Sequence, residues 1–336
     1  MNESKERWGI VLAGGEGSRV RGFLSALCGG RGIKQFCSIL DGRSLLQMTL
    51  DRVQRLIPRE RILIIVDKRH LEAREQLAGW PQENIIYQPA NRETAPGILL
   101  PLAFISHRCP QATVAVFPSD HFIVDEDVFI RQVARALDET DIVPRSAILL
   151  GVTPDRIEEG YGWITSRQDG RGKASHAVTG FWEKPSRPHA ERLLREGALW
   201  NTFVFVSRAT TLWELTRQTV PDLYGAFSSL RIMLGTPRGH AFIEQLYGRL
   251  RSVNFSSAIL APSVPRLRVL PVPEVGWSDW GSADRILETA TRVGRLDELA
   301  AKLHQVRVDD PSIMTLVSRY RNQPSIAERS YENNAA

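Results

Sequence analysis

The chain has 336 residues, 43% hydrophobic and 24% charged, with a formal net charge of +5. That balance excludes a disordered or fibrous chain and leaves room for one large α/β domain with additions, or for two domains. The basic residues are scattered rather than blocked, which suits anionic small molecules and calls for no nucleic-acid partner. Cys28, Cys37 and Cys109 form no Cys-x-x-Cys, so neither a disulfide framework nor a zinc site is suggested. No signal-type segment and no bilayer-length apolar run is present, so no membrane partner is expected and the cytoplasm is the expected location.

Taken in order, Ile10-Val11-Leu12 reads as a buried first strand, followed at once by the glycine-rich Gly14-Gly15-Glu16-Gly17. Residues 44–57 carry a helical apolar pattern, ended by Pro58, and residues 61–67 read as a central strand covered on both faces. A short helix over 71–78, a strand over 84–88 and a helix that starts after Thr94 and runs to about residue 107 follow, with Pro96 in its first turn. Residues 112–117 and 147–152 are strands, and 127–137 is a helix. This alternation predicts a doubly wound, Rossmann-like α/β fold with a mixed, mainly parallel sheet.

The second half is less regular. Gly160-Tyr161-Gly162-Trp163-Ile164 reads as a loop opening an edge strand, and 178–184, 199–207 and 268–272 read as strands. Residues 188–196, 208–219 and 238–251 are predicted helical. Two helical segments follow residue 290, and 331–336 is expected to be disordered. The expected organisation is one domain over 1–290 with a helical extension and polar tail over 291–336.

The polar clusters fall at strand ends, where open parallel sheets bind their ligands. A strand ending in glycines brings backbone N–H groups close to an anion, and Arg19 and Lys34 add positive charge. Together they make a triphosphate cradle. It is not a P-loop, for no G-x-x-x-x-G-K-[ST] occurs, and Gly15-Glu16-Gly17-Ser18-Arg19-Val20 lacks the third glycine of a dinucleotide fingerprint. Asp120 follows another buried strand, a natural place for a Mg²⁺ ligand facing a triphosphate; by itself it would more often be a turn or cap residue. Asp279 is a second candidate, whose ordinary role would be to cap the helix near Ala283.

Leu12-Ala13-Gly14-Gly15 through Arg19, followed by Lys34-Gln35-Phe36, resembles the signature of sugar nucleotidyltransferases, specifically the mannose-1-phosphate guanylyltransferase (GDP-mannose pyrophosphorylase) group. Further matches come in the family's order: Arg92-Glu93-Thr94-Ala95-Pro96, Pro118-Ser119-Asp120-His121, Gly160 to Ile164, Glu183-Lys184-Pro185, Leu199-Trp200-Asn201-Thr202 and Trp277-Ser278-Asp279. The resemblance covers residues 8–290. It implies attack of a sugar 1-phosphate on the α-phosphorus of a nucleoside triphosphate, most simply mannose 1-phosphate and GTP, with Mg²⁺ as cofactor. A phosphate monoester is largely ionised at neutral pH, so no general base is required.

The resemblance assigns catalytic roles to Arg19 and Lys34. It assigns nucleotide binding to Leu12, Ala13, Gly14, Gly15, Gly17, Ser18, Gln88, Arg92, Thr94 and Ala95. Gly162, Glu183, Lys184 and Asn201 would bind the sugar phosphate, and Asp120 and Asp279 would hold the metal. A homodimer is left open.

The sequence departs from the family pattern at Val20-Arg21-Gly22-Phe23, which lacks a proline, and at Ile33, where proline is usual. The segment from Arg19 to Lys34 is long and carries Gly29, Gly30 and Gly32. Glu93 stands for asparagine, and Gln88 stands where guanine-specific enzymes have glutamate. Glutamate only accepts hydrogen bonds, whereas glutamine also donates, so Gln88 could serve uracil or thymine as well as guanine. Asn254 to Ala258 lacks the family's acidic residue. No isomerase-type domain and no hexapeptide repeat is seen, so a bifunctional enzyme is not expected. Two other classes stand beside this reading. One is a non-catalytic sugar-nucleotide-binding regulator. The other is a glycosyltransferase using Asp125-Glu126-Asp127 as its metal motif.

Overall fold

The computed structural model describes residues 6–28, 32–40, 42–170, 173–305 and 311–321. Gly29 and Gly30 of the long glycine segment, and the tail over 331–336, lie outside the described residues. The chain divides into two compact units that interleave in sequence. The first is Met1–Gly15, Leu50–Pro118 and Asp125–Val275; the second is Glu16–Thr49, Ser119–Val124 and Gly276–Ala336.

The first unit holds a nine-stranded sheet. Its strands are β1 (Arg7–Ala13), β2 (Ile62–Asp67), β3 (Ile85–Gln88), β4 (Thr113–Pro118), β5 (Ala147–Val152), β6 (Gly162–Arg167), β7 (His176–Glu183), β8 (Leu199–Arg208) and β9 (Leu267–Val272). They lie in the order β3-β2-β1-β4-β8-β5-β9-β7-β6. Pairing is parallel across β3-β2-β1-β4 and between β5 and β9. β8 is antiparallel to both of its neighbours, β4 and β5. β2, β4 and β5 are buried at every residue, as strands covered on both faces should be. The helix Thr94–Arg108 is apolar nearly all round and sits in the main core with Ile98, Leu99 and Leu102 fully buried.

Two expectations change here. β6 ends the strand order, yet it is not a free edge: Trp163 and Ile164 also pair with Trp200 and Leu199 of β8. The cause is aromatic packing, for Trp163 is fully buried and meets Trp200 edge-on at 5.9 Å. A helix over Pro221–Met233, not anticipated, turns Leu223, Phe227 and Leu230 into the core.

The second unit is built around Phe23, Leu24, Phe122, Trp280, Leu287 and Leu303. An antiparallel bridge between Phe122 and Ser278 ties residues 119–124 to the segment after Gly276, and Phe122 stacks on Trp280 at 4.5 Å. The helix Leu45–Gln54 starts at a capping box: Ser44 Oγ accepts from the Gln47 amide, and Gln47 Oε1 accepts from the Ser44 amide. The helices Leu296–Gln305 and Pro311–Arg321, expected as an extension, supply Leu299, Ala300, Leu303 and Val317 to this core. No helix among the described residues is long and apolar enough to cross a membrane.

Candidate active site

The parallel register of β1, β2 and β3 sets Asp67 beside Gln88 and Ala13 beside Val66, so the carboxyl ends of β1 and β3 lie at the same end of the sheet. There a pocket of about 180 Å³ is lined by Leu12, Gly14, Gly15, Gln88, Asn91 and Thr94, among others. It is smaller than the roughly 300–1,000 Å³ of a complete ligand site. Gln88 is buried, and its amide lies so close to Gly14 that a Cβ there would strike it. The glycine is what lets the loop and the amide share this wall.

Not every residue expected at this end faces the pocket. Arg92 donates from Nε to the Tyr247 carbonyl at 3.3 Å, on the helix Gly239–Arg249, and is not part of the lining. Ala95 is fully buried behind it. Thr94 does line the pocket, while its Oγ1 accepts from the Phe255 amide at 2.8 Å. Asn91, Glu93 and Gly97 were missed and belong to the wall. Glu93 has φ +69, a left-handed backbone that a glutamate rarely adopts, and its amide donates to Asn91 Oδ1 at 2.9 Å. Two polar residues in an irregular link between a strand and a helix give no periodic signal.

The sugar-phosphate candidates also converge within the first unit. Gly162 of β6 is in register with Glu183 of β7, and a Cβ on Gly162 would stand 3.0 Å from Glu183 Oε2 and 3.3 Å from Asn201 Cβ. Because β8 runs antiparallel, its early residue Asn201 lies opposite Gly151 near the end of β5. Asn201 Oδ1 accepts from the Phe203 amide at 3.1 Å, which orients the side-chain amide. Lys184 has φ +50, is exposed, and holds Nζ 3.7 Å from Glu183 Oε1.

In the second unit, Gly17 has φ +58, and a Cβ on it would lie 2.9 Å from Lys34 Cβ. Ser18 and Arg19 follow, both exposed, on the turn Ser18–Val20, whose Val20 is buried, and Arg19 makes no ion pair among the described residues. Arg21 instead pairs with Glu16 at 3.5 Å. Lys34 sits on the turn Lys34–Phe36 and is only 4% exposed. A buried ammonium has to be paired. Lys34 Nζ lies 2.9 Å from Asp120 Oδ2 and also donates to the Asp279 carbonyl.

Burial pushes the Asp120 carboxyl up, but the Lys34 ammonium and His121 more than reverse this and hold it below the usual carboxylate range. The Asp279 charge raises it slightly, so the two carboxylates lie within each other's field. Asp279 is itself held by Arg285 Nη1 at 2.5 Å and accepts from the Gly281 amide at 2.9 Å. His121 Nδ1 accepts from Trp277 Nε1 at 3.3 Å, leaving Nε2 3.7 Å from Asp120 Oδ1. Sequence reasoning missed Arg285, six residues along the same segment from Asp279, and Trp277, which meets His121 across the two segments joined by the Phe122–Ser278 bridge.

No group of three or more metal-ligating side chains occurs among the described residues. Asp120 and Asp279 supply two carboxylates within each other's field, a donor set of the kind that Mg²⁺ takes together with phosphate oxygens, though here each is held by a cation, Lys34 and Arg285. The rival motif is spent on structure. Asp125 caps the helix Glu126–Glu139 through the Val128 amide, Glu126 pairs with Arg52 at 2.8 Å, and Asp127 pairs with Arg55 at 2.6 Å.

The nucleotidyl transferase family model matches residues 8–295. Mannose-1-phosphate guanylyltransferase 2 of Escherichia coli O157:H7 is 29% identical over 292 residues, covering 81% of this chain and 58% of the relative. Mannose-1-phosphate guanylyltransferase RfbM of Salmonella typhimurium is 32% identical over 285 residues, covering 81% and 56%. The chain therefore spans only a little over half the length of these relatives. The crystal structure of mannose-1-phosphate geranyltransferase from Thermus thermophilus superposes with a TM-score of 0.73 at 28% identity, covering 84% of this chain and 79% of that one.

Proposed function

The chain belongs to the nucleotidyl transferase family, and from that premise we propose that it transfers a nucleotidyl group from a nucleoside triphosphate to a sugar 1-phosphate, releasing pyrophosphate. GTP and mannose 1-phosphate are the pair assigned, after the guanylyltransferases it is similar to. The observation that carries this reading is the buried Lys34 ammonium, held between the Asp120 carboxylate and the Asp279 carbonyl. The preference of such a buried cation for anions is strong, and a triphosphate supplies them.

The phosphate nucleophile is already ionised, so the protein has to position two anions and neutralise the charge that develops on the leaving group. Arg19, exposed and without an ion pair among the described residues, is assigned to the triphosphate, with the backbone N–H groups over residues 14–18. Gln88 and Asn91 offer amide donors and acceptors to a base edge in the pocket behind Gly14. Glu183 and Asn201 hydrogen-bond sugar hydroxyls, and Lys184 binds the sugar phosphate. Asp120 and Asp279 are the residues that would hold Mg²⁺; when bound, it neutralises the leaving pyrophosphate.

The test is pyrophosphate release from GTP, UTP, dTTP, ATP and CTP, each against mannose, glucose and other hexose 1-phosphates, with Mg²⁺. Release with GTP and mannose 1-phosphate alone is expected; release with another pair would keep the chemistry and overturn the assigned specificity. A regulatory sugar-nucleotide-binding role is the second reading, favoured by the Arg285 clamp on Asp279. Tight nucleotide-sugar binding with no release from any pair would establish it.

A further inference from the structure

Cys28 caps the C-terminal end of the helix Arg21–Leu27, its amide donating to the Leu24 carbonyl at 2.8 Å. Cys37 follows the Lys34–Phe36 turn, its amide donating to the Lys34 carbonyl at 3.2 Å. Their side chains are hydrogen-bonded to one another, inside the hydrophobic cluster of the second unit. Cys37 is 2% exposed and Cys28 is half-buried, so one sulfur is reachable and the other stands behind it. Residues 29–36 separate them, and Gly29, Gly30 and Gly32 are among these.

We propose that Cys28 and Cys37 are a thiol-modification site, closing to an intramolecular disulfide on exposure to a low-molecular-weight disulfide and thereby displacing Lys34. The function of Lys34 in this statement rests on the reading of the preceding subsection; the chemistry of the two thiols does not. Three observations favour the pair. The hydrogen bond from Cys37 lowers the Cys28 thiol despite its burial, and the Lys302 ammonium adds to the effect. Lys302 is fixed nearby by donating to the Ile39 carbonyl at 3.2 Å. Cys109 is the internal contrast: burial and the Glu6 carboxylate push its thiol up, which disfavours its thiolate.

The exchange balances. The Cys28 thiolate attacks one sulfur of oxidised glutathione, forming a mixed disulfide and releasing one glutathione thiolate, which takes up a proton. Cys37 then loses its proton to solvent and attacks the Cys28 sulfur, releasing the second glutathione. Two protein thiols are oxidised and one glutathione disulfide is reduced to two thiols. A disulfide of this kind in a reducing compartment is a reversible, sensing bond rather than a structural one. Because the Cys37 amide is hydrogen-bonded to the Lys34 carbonyl, drawing Cys37 toward Cys28 pulls on the turn that carries the ammonium.

The full chain is equilibrated in glutathione buffers from reduced to oxidised, quenched in acid, alkylated and mapped by mass spectrometry. The same samples are assayed for pyrophosphate release and for the rate of Lys34 acylation by a succinimidyl ester. The expected result is a Cys28–Cys37 crosslink with Cys109 still alkylated. Activity falls at least tenfold in step with the crosslink, Lys34 acylates faster, and dithiothreitol restores both. Cys28→Ser is expected to keep its activity in every buffer, and Cys37→Ser to accumulate the mixed disulfide at Cys28. A wild-type chain that stops at mixed disulfides, or oxidises first at Cys109, overturns the pairing. A crosslink that alters neither activity nor Lys34 acylation overturns its coupling to Lys34. An inactive reduced chain that still crosslinks and still exposes Lys34 sinks the transferase reading and leaves this one standing.

Discussion

At Gly17 the backbone enters the left-handed region, and the space where a side chain would start is filled by Lys34. Both constraints act against any other residue. Gly17→Ala is expected to destabilise the chain by about 1–2 kcal/mol through φ alone, with further loss as Lys34 is pushed from the Asp120 carboxylate and the Asp279 carbonyl; thermal melting checks the first effect. Lys34→Met keeps the shape and removes the charge, so kcat for pyrophosphate release is expected to fall by about 10²–10³. Lys34→Arg is not expected to rescue it, since the planar fork does not replace a compact ammonium in a site this buried. Gln88→Glu removes the amide donor beside Gly14 and leaves acceptors only. The ratio of kcat/KM for GTP over UTP is expected to rise about tenfold, the worth of roughly 1.4 kcal/mol. Glycine and lysine spacing made these residues legible in the sequence. The partners that fix them were not: Trp277 meets His121 across 156 residues, and Arg285 reaches Asp279 through an irregular link that has no periodic signal.

Among the elements, β9 carries the least expected feature. Arg268 is 6% exposed and forks onto Asp169 at 2.9 and 2.6 Å, while its Nε donates to Ser175 Oγ at 2.7 Å. Ser175 Oγ in turn donates to the buried Glu139, at the end of the helix Glu126–Glu139. Both ends of the connection between β6 and β7 are thereby tied to β9. Asp169 is exposed and can be hydrated when its partner is gone, so Arg268→Ala is expected to destabilise by about 1.5–3 kcal/mol through the lost charge-assisted hydrogen bonds, seen as a lower denaturation midpoint. The Arg268 guanidinium holds the Asp169 carboxyl far below the ordinary carboxylate range. A carboxyl lowered on folding stabilises above its unfolded pKa, and that contribution is lost as pH falls below about 4. The acid limb of a stability–pH curve is expected to flatten in Asp169→Asn relative to the parent. The strands up to residue 152 were legible because apolar runs between charges leave few alternatives. The antiparallel placement of β8 and the second pairing of β6 were not, since a strand's partners lie far away in sequence. The helix Pro221–Met233 was missed because Gly225, Ser228 and Ser229 dilute its pattern.

For the molecule as a whole, the late helices matter more than their position suggests. Leu299, Ala300 and Leu303 are fully buried in the cluster that also holds Phe23 and Leu24. Each buried leucine contributes roughly 1.5–3 kcal/mol. Ending the chain after Arg295 is therefore expected to loosen the second unit. Hydrogen exchange should then show faster exchange at Leu24 and Leu27, with the amides of β1, β2 and β4 unchanged. Composition and alternation made the α/β class legible, but the interleaving of two units was not, because it arises from which strand ends the chain departs from.

The chain passes between the units at five places: after Gly15, Thr49, Pro118, Val124 and Val275. Lys34, Asp120 and Asp279 thus come from three separate stretches of the second unit. Inheritance feels this division. A single genetic crossover between two related parents, falling anywhere over residues 50–118, joins the lysine of one lineage to both aspartates of the other. Hybrids of this family are therefore expected to fail in pairs of incompatible parents rather than at particular positions. A donor loop moved alone brings a lysine without the Asp120 carboxylate and the Asp279 carbonyl that hold it here.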